Sequence, residues 1–390
     1  MNFWSESSDY CVKNQNESPL PFNMNSYQYL IDYLNNSPLI IELVWSISSV
    51  FFILLITLII YLKYLRGSLR KKERLTAAYE KEYESNLINY LYSGNEVDEI
   101  SLEQQAIIDQ FNEDSKDPFK RKILISVLVK LKNEISGDIA DSVQKLYFQT
   151  ELVHYALSRL SHKKWYVIAK GIRELKKFHV KEAYKEVLIH INHPRREVRK
   201  EMQLYMVDLF YFEGLDFLNL LETQLSEWDQ IQLLGILQKL ENQDIPNIKS
   251  WLNSSNDSVI IFALKLAKTY NQFEAKDEIT ILLNHSTKKI RLETIDVLSY
   301  LNVLEAKEIL KADIENRSHE EQIAFFKMME NLYESKDESF LVKYVHNEIF
   351  EIKVSALKII KALNKDKFNN LIAESSDYQF LRIANFVEKN

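Results

Sequence analysis

The sequence predicts an all-α protein, an α-solenoid of antiparallel helix pairs preceded by a single transmembrane helix. Three observations carry that expectation. Ala169, Met202, Leu233, Ala263, Thr294, Phe325 and Ala356 recur at spacings of 33, 31, 30, 31, 31 and 31 residues, and a fixed period in this range marks units that bury their apolar faces only by stacking on neighbours. The 20 residues from Leu43 to Leu62 carry no charge, the length a helix needs to cross the hydrocarbon layer. Six glycines and six prolines in 390 residues leave few places for tight turns or helix breaks.

Composition sets the outer limits. An apolar content of 46% supplies a core, so disorder is not expected. A chain of 390 residues exceeds one ordinary compact domain unless it forms a repeat array. Cys11 is the sole cysteine, which excludes an intramolecular disulfide and a multi-cysteine metal site. The net charge of −7 argues against a general nucleic-acid binder.

Taken in order, residues 1–38 read as a short extracytoplasmic tail and residues 39–65 as the membrane helix. The apolar run is followed at once by Lys63, Arg66, Arg70, Lys71, Lys72 and Arg74, whereas Lys13 is the one Lys or Arg before Pro38. Positive charge stays cytoplasmic, so the N-terminus is expected outside the cell (inner) membrane and the rest inside. Trp45, Tyr61 and Tyr64 sit at the ends of the span, where aromatic belts form. A cleaved signal peptide would place a basic region directly before a shorter apolar core, and here a polar tail comes first, so the anchor is read as retained.

Residues 66–117 read as a cytoplasmic stalk and linker helices. Gly67–Tyr92 places Leu75, Tyr79, Leu87, Tyr90 and Leu91 on overlapping faces, Ser93-Gly94-Asn95 supplies stop chemistry, and a short acidic helix follows over Ser101–Asn112. Residues 118–161 contain three helical stretches, among them Ile123–Leu131 and Glu151–Leu160, outside the later register. They suit an atypical first repeat or N-terminal cap, because a terminal repeat presents one polar outer face.

Residues 162–390 form the regular array, about seven repeats. Each anchor lies in an apolar cluster at offsets of three and four, such as Tyr205 and Met206, or Ile359 and Ile360, which is one helix face. A second helix follows in phase: Leu188, Leu221, Leu252 and Leu282 lie 19 residues after their anchors, and Leu218, Ile279, Leu310, Leu341 and Ile372 lie 16 after theirs. Asn192-His193-Pro194, Ser254–Asp257, His285-Ser286-Thr287 and Asn347-Glu348 precede first helices, as N-caps do, and Ser318 with Glu321 has capping-box spacing. Ser376–Glu388 supplies one further apolar helix.

These segments resemble HEAT repeats of the short bacterial type, an armadillo-like architecture. The likeness is carried by HINHPRREVRKEM at His190–Met202, LNSSNDSVIIFALKLA at Leu252–Ala267 and LLNHSTKKIRLETIDVLSYLNVLEAKEIL at Leu282–Leu310. The resemblance implies protein–protein interaction on a concave surface. It also implies an acid–base ladder between repeats, for which Glu197 with Arg199, Glu351 with Lys353, and Arg291 alone match the places; Asp257 lacks its basic partner, since Ile260 stands there. The function it implies is a membrane-anchored cytoplasmic scaffold or adaptor, accessory to an envelope or glycosyltransferase complex, and not an enzyme. The alternatives are a HEAT-like lyase or other enzyme acting at the membrane, and a sensor relaying a signal from the outer tail.

Local chemistry is concentrated in residues 151–200, which hold 13 lysines and arginines against 5 acids, net +8, while residues 201–390 hold 21 against 31, net −10. Lys163, Lys164, Lys170, Arg173, Lys176, Lys177, Arg195, Arg196, Arg199 and Lys200 are the candidate partner-binding basic face. Such a face attracts an acidic protein or anionic lipid headgroups, and its plain alternative is a set of solvated helix surfaces. Nucleic acid fits poorly with a membrane tether and net acidity. His154, His162, His179, His190 and His193 share the region, and His190 with His193 has a spacing seen among metal ligands; without a cysteine or a placed carboxylate, histidines near helix ends read as caps. No Gly-rich phosphate loop, His-Glu-x-x-His pair or nucleophile signature stands out, so no catalytic residue, metal or cofactor is expected. Trp165, Trp228 and Trp251 read as packing residues at helical spacing.

Overall fold

A computed structural model of the chain describes residue 31 and residues 38–93, 100–134, 137–239 and 247–389. Cys11 with most of the expected tail, and Gly94-Asn95 of the expected stalk stop, lie outside them. Two compact units divide the chain, Met1–Glu82 and Tyr83–Asn390.

Helix α1, Leu39–Tyr92, runs through that division as 54 unbroken residues. In the first unit its apolar run is exposed throughout, Trp45, Phe51, Ile53 and Leu58 included. The hydroxyl of Thr57 donates to the Ile53 carbonyl at 2.8 Å, so the run's central polar side chain is satisfied within the helix. Among the described residues this is the one helix long and apolar enough to cross a membrane by length and composition. The expected change from span to stalk near residue 66 leaves no break in the helix.

In the second unit the last turns of α1 are packed rather than free. Tyr83, Leu87 and Tyr90 are buried; Tyr83 meets Phe111 edge-on at 5.7 Å, its hydroxyl donates to Asp114 Oδ2 at 3.0 Å, and that of Tyr90 donates to Gln149 Oε1 at 2.8 Å. Helix α2, Leu102–Ser115, opens on a capping box between Ser101 and Gln104 and runs nearly a turn past Asn112. Three helices follow where three were expected: α3 (Pro118–Glu134), α4 (Asp138–Gln149) and α5 (Leu152–Leu160).

From residue 165 long helices alternate with short, irregular ones. Helix α6 (Trp165–Lys177) is followed by a 3₁₀ turn and α7 (Tyr184–Leu188). Helix α8 (Arg196–Phe210) is followed by a 3₁₀ stretch, Glu213–Leu220. Then come α9 (Glu227–Leu237) with α10 (Lys249–Leu252), and α11 (Asp257–Thr269) with α12 (Lys276–Ile281). Helices α13 (Lys288–Tyr300) with α14 (Leu304–Asp313), and α15 (His319–Leu332) with α16 (Glu338–Leu341), repeat the pattern. Helices α17 (Phe350–Leu363), α18 (Lys365–Glu374) and α19 (Tyr378–Lys389) end the described residues.

All seven periodic anchors fall on long helices and all are buried, Ala169 being the most exposed at 6%. Long helices pack directly on their successors, α6 on α8, α11 on α13, α13 on α15 and α15 on α17. Between α9 and α11 polar bonds join the stack instead, as Lys265 Nζ donates to Gln230 Oε1 at 2.9 Å and Gln230 Nε2 to the Ser258 carbonyl at 3.3 Å. Thr294 keeps its buried hydroxyl satisfied on the Ile290 carbonyl at 2.7 Å, which is how a polar residue holds a core position. In the second layer Leu218, Leu221, Leu252, Ile279, Leu282, Leu310 and Leu341 are buried, whereas Leu188 and Ile372 are half-buried.

Two recurring devices replace the missing glycines. One or two residues after several long helices the backbone takes a positive φ, at His179, Tyr211, Asn271 and Asn302. At three of these the following amide closes the turn, Val180 on Leu175, Gln272 on Ala267 and Val303 on Leu298, at 2.9 to 3.0 Å. Before long helices a side chain accepts the amide two residues on: His162 from Lys164, His193 from Arg195 and His285 from Thr287 through Nδ1, Ser254 from Asn256, and Asn347 from Ile349. The histidine thus performs the task of an Asx turn.

Candidate functional site

One face of α3 carries Lys122, Ile125, Ser126 and Val129 at helical spacing, while Ile123, Leu124, Val127 and Leu128 are buried in the core. Helix α6 is split the same way. Ile168, Ile172 and Leu175 are buried, and Trp165, Tyr166, Lys170, Arg173 and Lys177 remain at the surface. Gly171 allows α5 and α6 to approach, because a Cβ there would stand 3.0 Å from both the Ala156 carbonyl and Arg159 Cβ. These two faces, with Glu197 of α8, enclose an open cleft of about 660 Å³ whose lining is chiefly apolar. The volume falls in the range of ligand pockets, and it is too small to receive a folded domain.

The cleft's apolar surface comes from Ile125, Val129, Ala169 and the ring pair Trp165–Tyr166, set perpendicular with centroids 5.9 Å apart. Its charged lining is four cations, Lys122, Lys170, Arg173 and Lys177, against two acids, Glu174 and Glu197. Arg173 is already committed, donating from Nε to Glu201 Oε1 at 3.0 Å, whereas Lys122, Lys170 and Lys177 make no ion pair with a described residue. Beneath them Glu174 is buried and pairs with Arg159, while the Tyr147 hydroxyl donates to its Oε1 at 3.2 Å. Burial pushes the Glu174 carboxyl up, against the pull of Arg159 and Tyr147. Burial likewise pulls the Lys170 ammonium down, and the positive charges of Arg159, Lys122 and Arg121 add to that pull. The site is therefore electropositive and partly dehydrated, a setting that favours an anion next to an apolar group. Neither histidine nor cysteine lines it beside Ser126.

The ten cations expected to form one face are divided by the fold. Lys170, Arg173 and Lys177 line the cleft. Lys163 and Lys164 are exposed on the loop leading into α6, Lys176 is half-buried outside the lining, Arg195 is exposed and Lys200 is half-buried. Arg196 reaches across to α9, donating to Ser226 Oγ at 2.7 Å and Asp229 Oδ1 at 3.2 Å. Arg199 closes its own loop on the His193 and Pro194 carbonyls at 2.7 and 3.2 Å. The sequence reading missed Lys122, Ile125, Ser126 and Val129, although their spacing of three and four beside the buried Ile123, Leu124, Val127 and Leu128 was the available signal.

The inter-repeat ladder uses mostly other residues than those expected. Arg173 binds Glu201, Arg196 binds Asp229, and Arg291 binds Glu321 at 2.7 Å. Asp257, without the basic partner, accepts the Thr287 hydroxyl at 2.6 Å. Among the described residues Arg291 alone of the expected ladder places carries such a link; Arg199 closes its own loop in the same way, but the residue 31 positions on is the uncharged Gln230, where Arg291 has Glu321 30 positions on. Lys289 pairs with Glu227, 62 residues away, so side chains from the first turns of α9 and α13 meet across α11.

Trp251 is buried, whereas Trp228 is exposed. His190 and His193 lie with ring centroids 5.9 Å apart, and His193 Nδ1 is engaged by Arg195. Among the described residues no group of three His, Cys, Asp or Glu side chains is arranged for a metal ion.

No protein-family model matches the chain, and no curated protein matches it. Solved structures give distant similarities. An engineered protein shares 14% identity at a TM-score of 0.34, over 79% of this chain and 98% of that one. A structure of tubulin recruitment by microtubule polymerases with tumor overexpressed gene domain arrays shares 11% at 0.25, over 82% and 98%. The CpcE–CpcF complex of phycocyanin lyase from Nostoc sp. PCC7120 shares 11% at 0.23, over 76% and 97%. At these scores the likeness extends to helical texture and carries no functional argument.

Proposed function

We propose that this chain is a membrane-anchored scaffold whose helical array lies in the cytoplasm and recruits an acidic partner protein. The observation that carries the proposal is α1, in which a 20-residue uncharged run with every residue exposed continues without a break into residues buried in the array. In water such a run leaves twenty apolar or weakly polar side chains solvated, a cost that the hydrocarbon layer removes. The cations that follow it set the orientation, and the cleft between α3 and α6 supplies a place for an acidic partner. The proposal makes the protein a holder of its partner, with chemistry left to that partner.

Topology mapping tests this reading. With a membrane-impermeant maleimide, the native Cys11 should label in intact cells, whereas a cysteine introduced as Lys343→Cys in a Cys11→Ser background should label only after permeabilisation. Carbonate washing should leave the protein in the membrane fraction. Labelling of position 343 in intact cells, or release by carbonate, would overturn the reading.

A further inference from the structure

We infer that the cleft between α3 and α6 is the docking site for a short, extended acidic segment of the partner, one with an apolar side chain seated on the Ile125–Val129–Trp165 surface and acids directed at Lys170 and Lys177. The inference rests on the scaffold reading for the existence of a partner, and it adds where that partner docks and what it presents.

Charge complementarity is the first support. Lys122, Lys170 and Lys177 stand together without an ion pair to a described residue, and with Arg173 they outnumber the two acids of the cleft, Glu197 and the Arg159-bound Glu174, so their mutual repulsion is relieved when an anion enters. The fourth cation, Arg173, is fixed by Glu201 and keeps the wall of the cleft in place. The apolar lining is the second support. Trp165 and Tyr166 are 36% and 52% exposed, and perpendicular rings beside aliphatic side chains suit one inserted aromatic or branched side chain.

Spacing supplies the third support. Lys170 and Lys177 are seven residues apart on one helix, about 10.5 Å along its axis at the usual rise. In a polyproline-type segment, residues three apart lie on the same side about 9.3 Å apart, with the intervening side chains pointing elsewhere. A pair of acids three positions apart therefore matches the two lysines while a residue between them turns toward the apolar surface. An anionic lipid would satisfy the charges but has no comparable need for that spacing.

The test uses the full-length protein in nanodiscs of neutral phosphatidylcholine and a panel of dye-labelled eight-residue peptides. Each peptide carries two glutamates one, three or six positions apart, with phenylalanine or leucine between or beside them, and binding is read by fluorescence anisotropy. The three-apart series should bind tightest. The K170E/K177E variant should weaken it about tenfold or more, and added salt should weaken it severalfold, as charge-directed contacts demand. Lys343→Glu, on an exposed lysine of a distant repeat, should leave binding unchanged. Binding that ignores acid spacing, or that survives K170E/K177E, would overturn the inference. So would phosphatidylglycerol vesicles binding in a Lys170- and Lys177-dependent way while no peptide binds. Because the assay is made on purified protein, its outcome is independent of the topology labelling that tests the scaffold reading.

Discussion

Lys307 is the sharpest place to test how the array is held together. Its side chain is fully buried, and Nζ donates to Glu334 Oε2 at 2.7 Å, Asp337 Oδ2 at 2.9 Å and the Leu332 carbonyl at 3.1 Å. Asp337, also fully buried, is held in addition by Lys311 and by the Glu334 amide at 2.9 Å. Burial alone would lower the Lys307 ammonium, but its bonds to Asp337 and Glu334 outweigh that and raise it; burial would raise the Asp337 carboxyl, and the two lysines bring it down instead. Lys307→Met removes the cation and leaves a buried carboxylate with Lys311 and one amide. Breaking one side of a buried pair costs about 3–5 kcal/mol, and the surviving Lys311 places this case near about 3. Because the packing of each repeat is chiefly on its neighbours, the loss should be local. Amides of α14 to α16 should exchange about a hundredfold faster, the equivalent of about 3 kcal/mol, while those of α8 to α11 stay near wild type. Replacing both partners, as K307M/D337L, should recover more than half the loss, since no unpaired charge remains. Exchange in α14–α16 altered less than threefold in K307M, or a double variant no better than the single one, would refute this account.

Three further outcomes follow from particular contacts. Burial would raise the Glu321 carboxyl, yet bonds from Arg291 and from the Ser318 hydroxyl and amide hold it at about 2; its contribution, at most about 3 kcal/mol, is full above about pH 4.5 and disappears as pH falls through 2, so the urea midpoint of wild type should drop more steeply over that window than that of Glu321→Gln, and parallel slopes would contradict it. Gly214→Ala would bring Cβ to 2.2 Å from the Met206 carbonyl oxygen, and the backbone shift this demands should lower stability by about 3 kcal/mol, visible as a lower urea midpoint or loss of folded protein. His285→Ala removes the acceptor for the Thr287 amide and should cost about 1 kcal/mol, whereas His285→Asn, able to make the same turn, should cost less than half as much; equal losses would show that the ring and not the bond matters.

How much of this was legible in the sequence depends on whether a feature is repeated or unique. The seven anchors were readable because each sits where one helix meets the next, and every turn of the stack imposes the same demand. The second layer was readable only as buried positions. Its apolar residues at offsets of 16 and 19 recur, but they lie in short α and 3₁₀ pieces whose length no periodicity encodes. The ladder was partly misread because partner choice depends on where each repeat places its neighbour. Arg199 and Arg291 close equivalent loops, yet Arg291 alone also reaches the next repeat. The histidines looked like a cluster on paper, and three of the eight, His162, His193 and His285, prove to be turn-formers at the same point of their repeats. The cleft stayed hidden because part of it comes from α3, which ends 31 residues before α6 begins and lies outside the register. The ten-residue basic face mixed lysines that face solvent with arginines already spent on carbonyls and carboxylates, a distinction that composition does not contain.

The two layers of the array differ in a way that bears on mechanical load. On one side lie continuous helices of 11 to 15 residues in the row from α8 to α17; on the other, pieces as short as 4 residues interrupted by 3₁₀ turns. A long helix presents several turns of side chains to its neighbour and a one-turn piece presents few, so the segmented layer is the more yielding of the two. Strain along the array would therefore be taken up first in the layer of short pieces, where fewer side chains must separate.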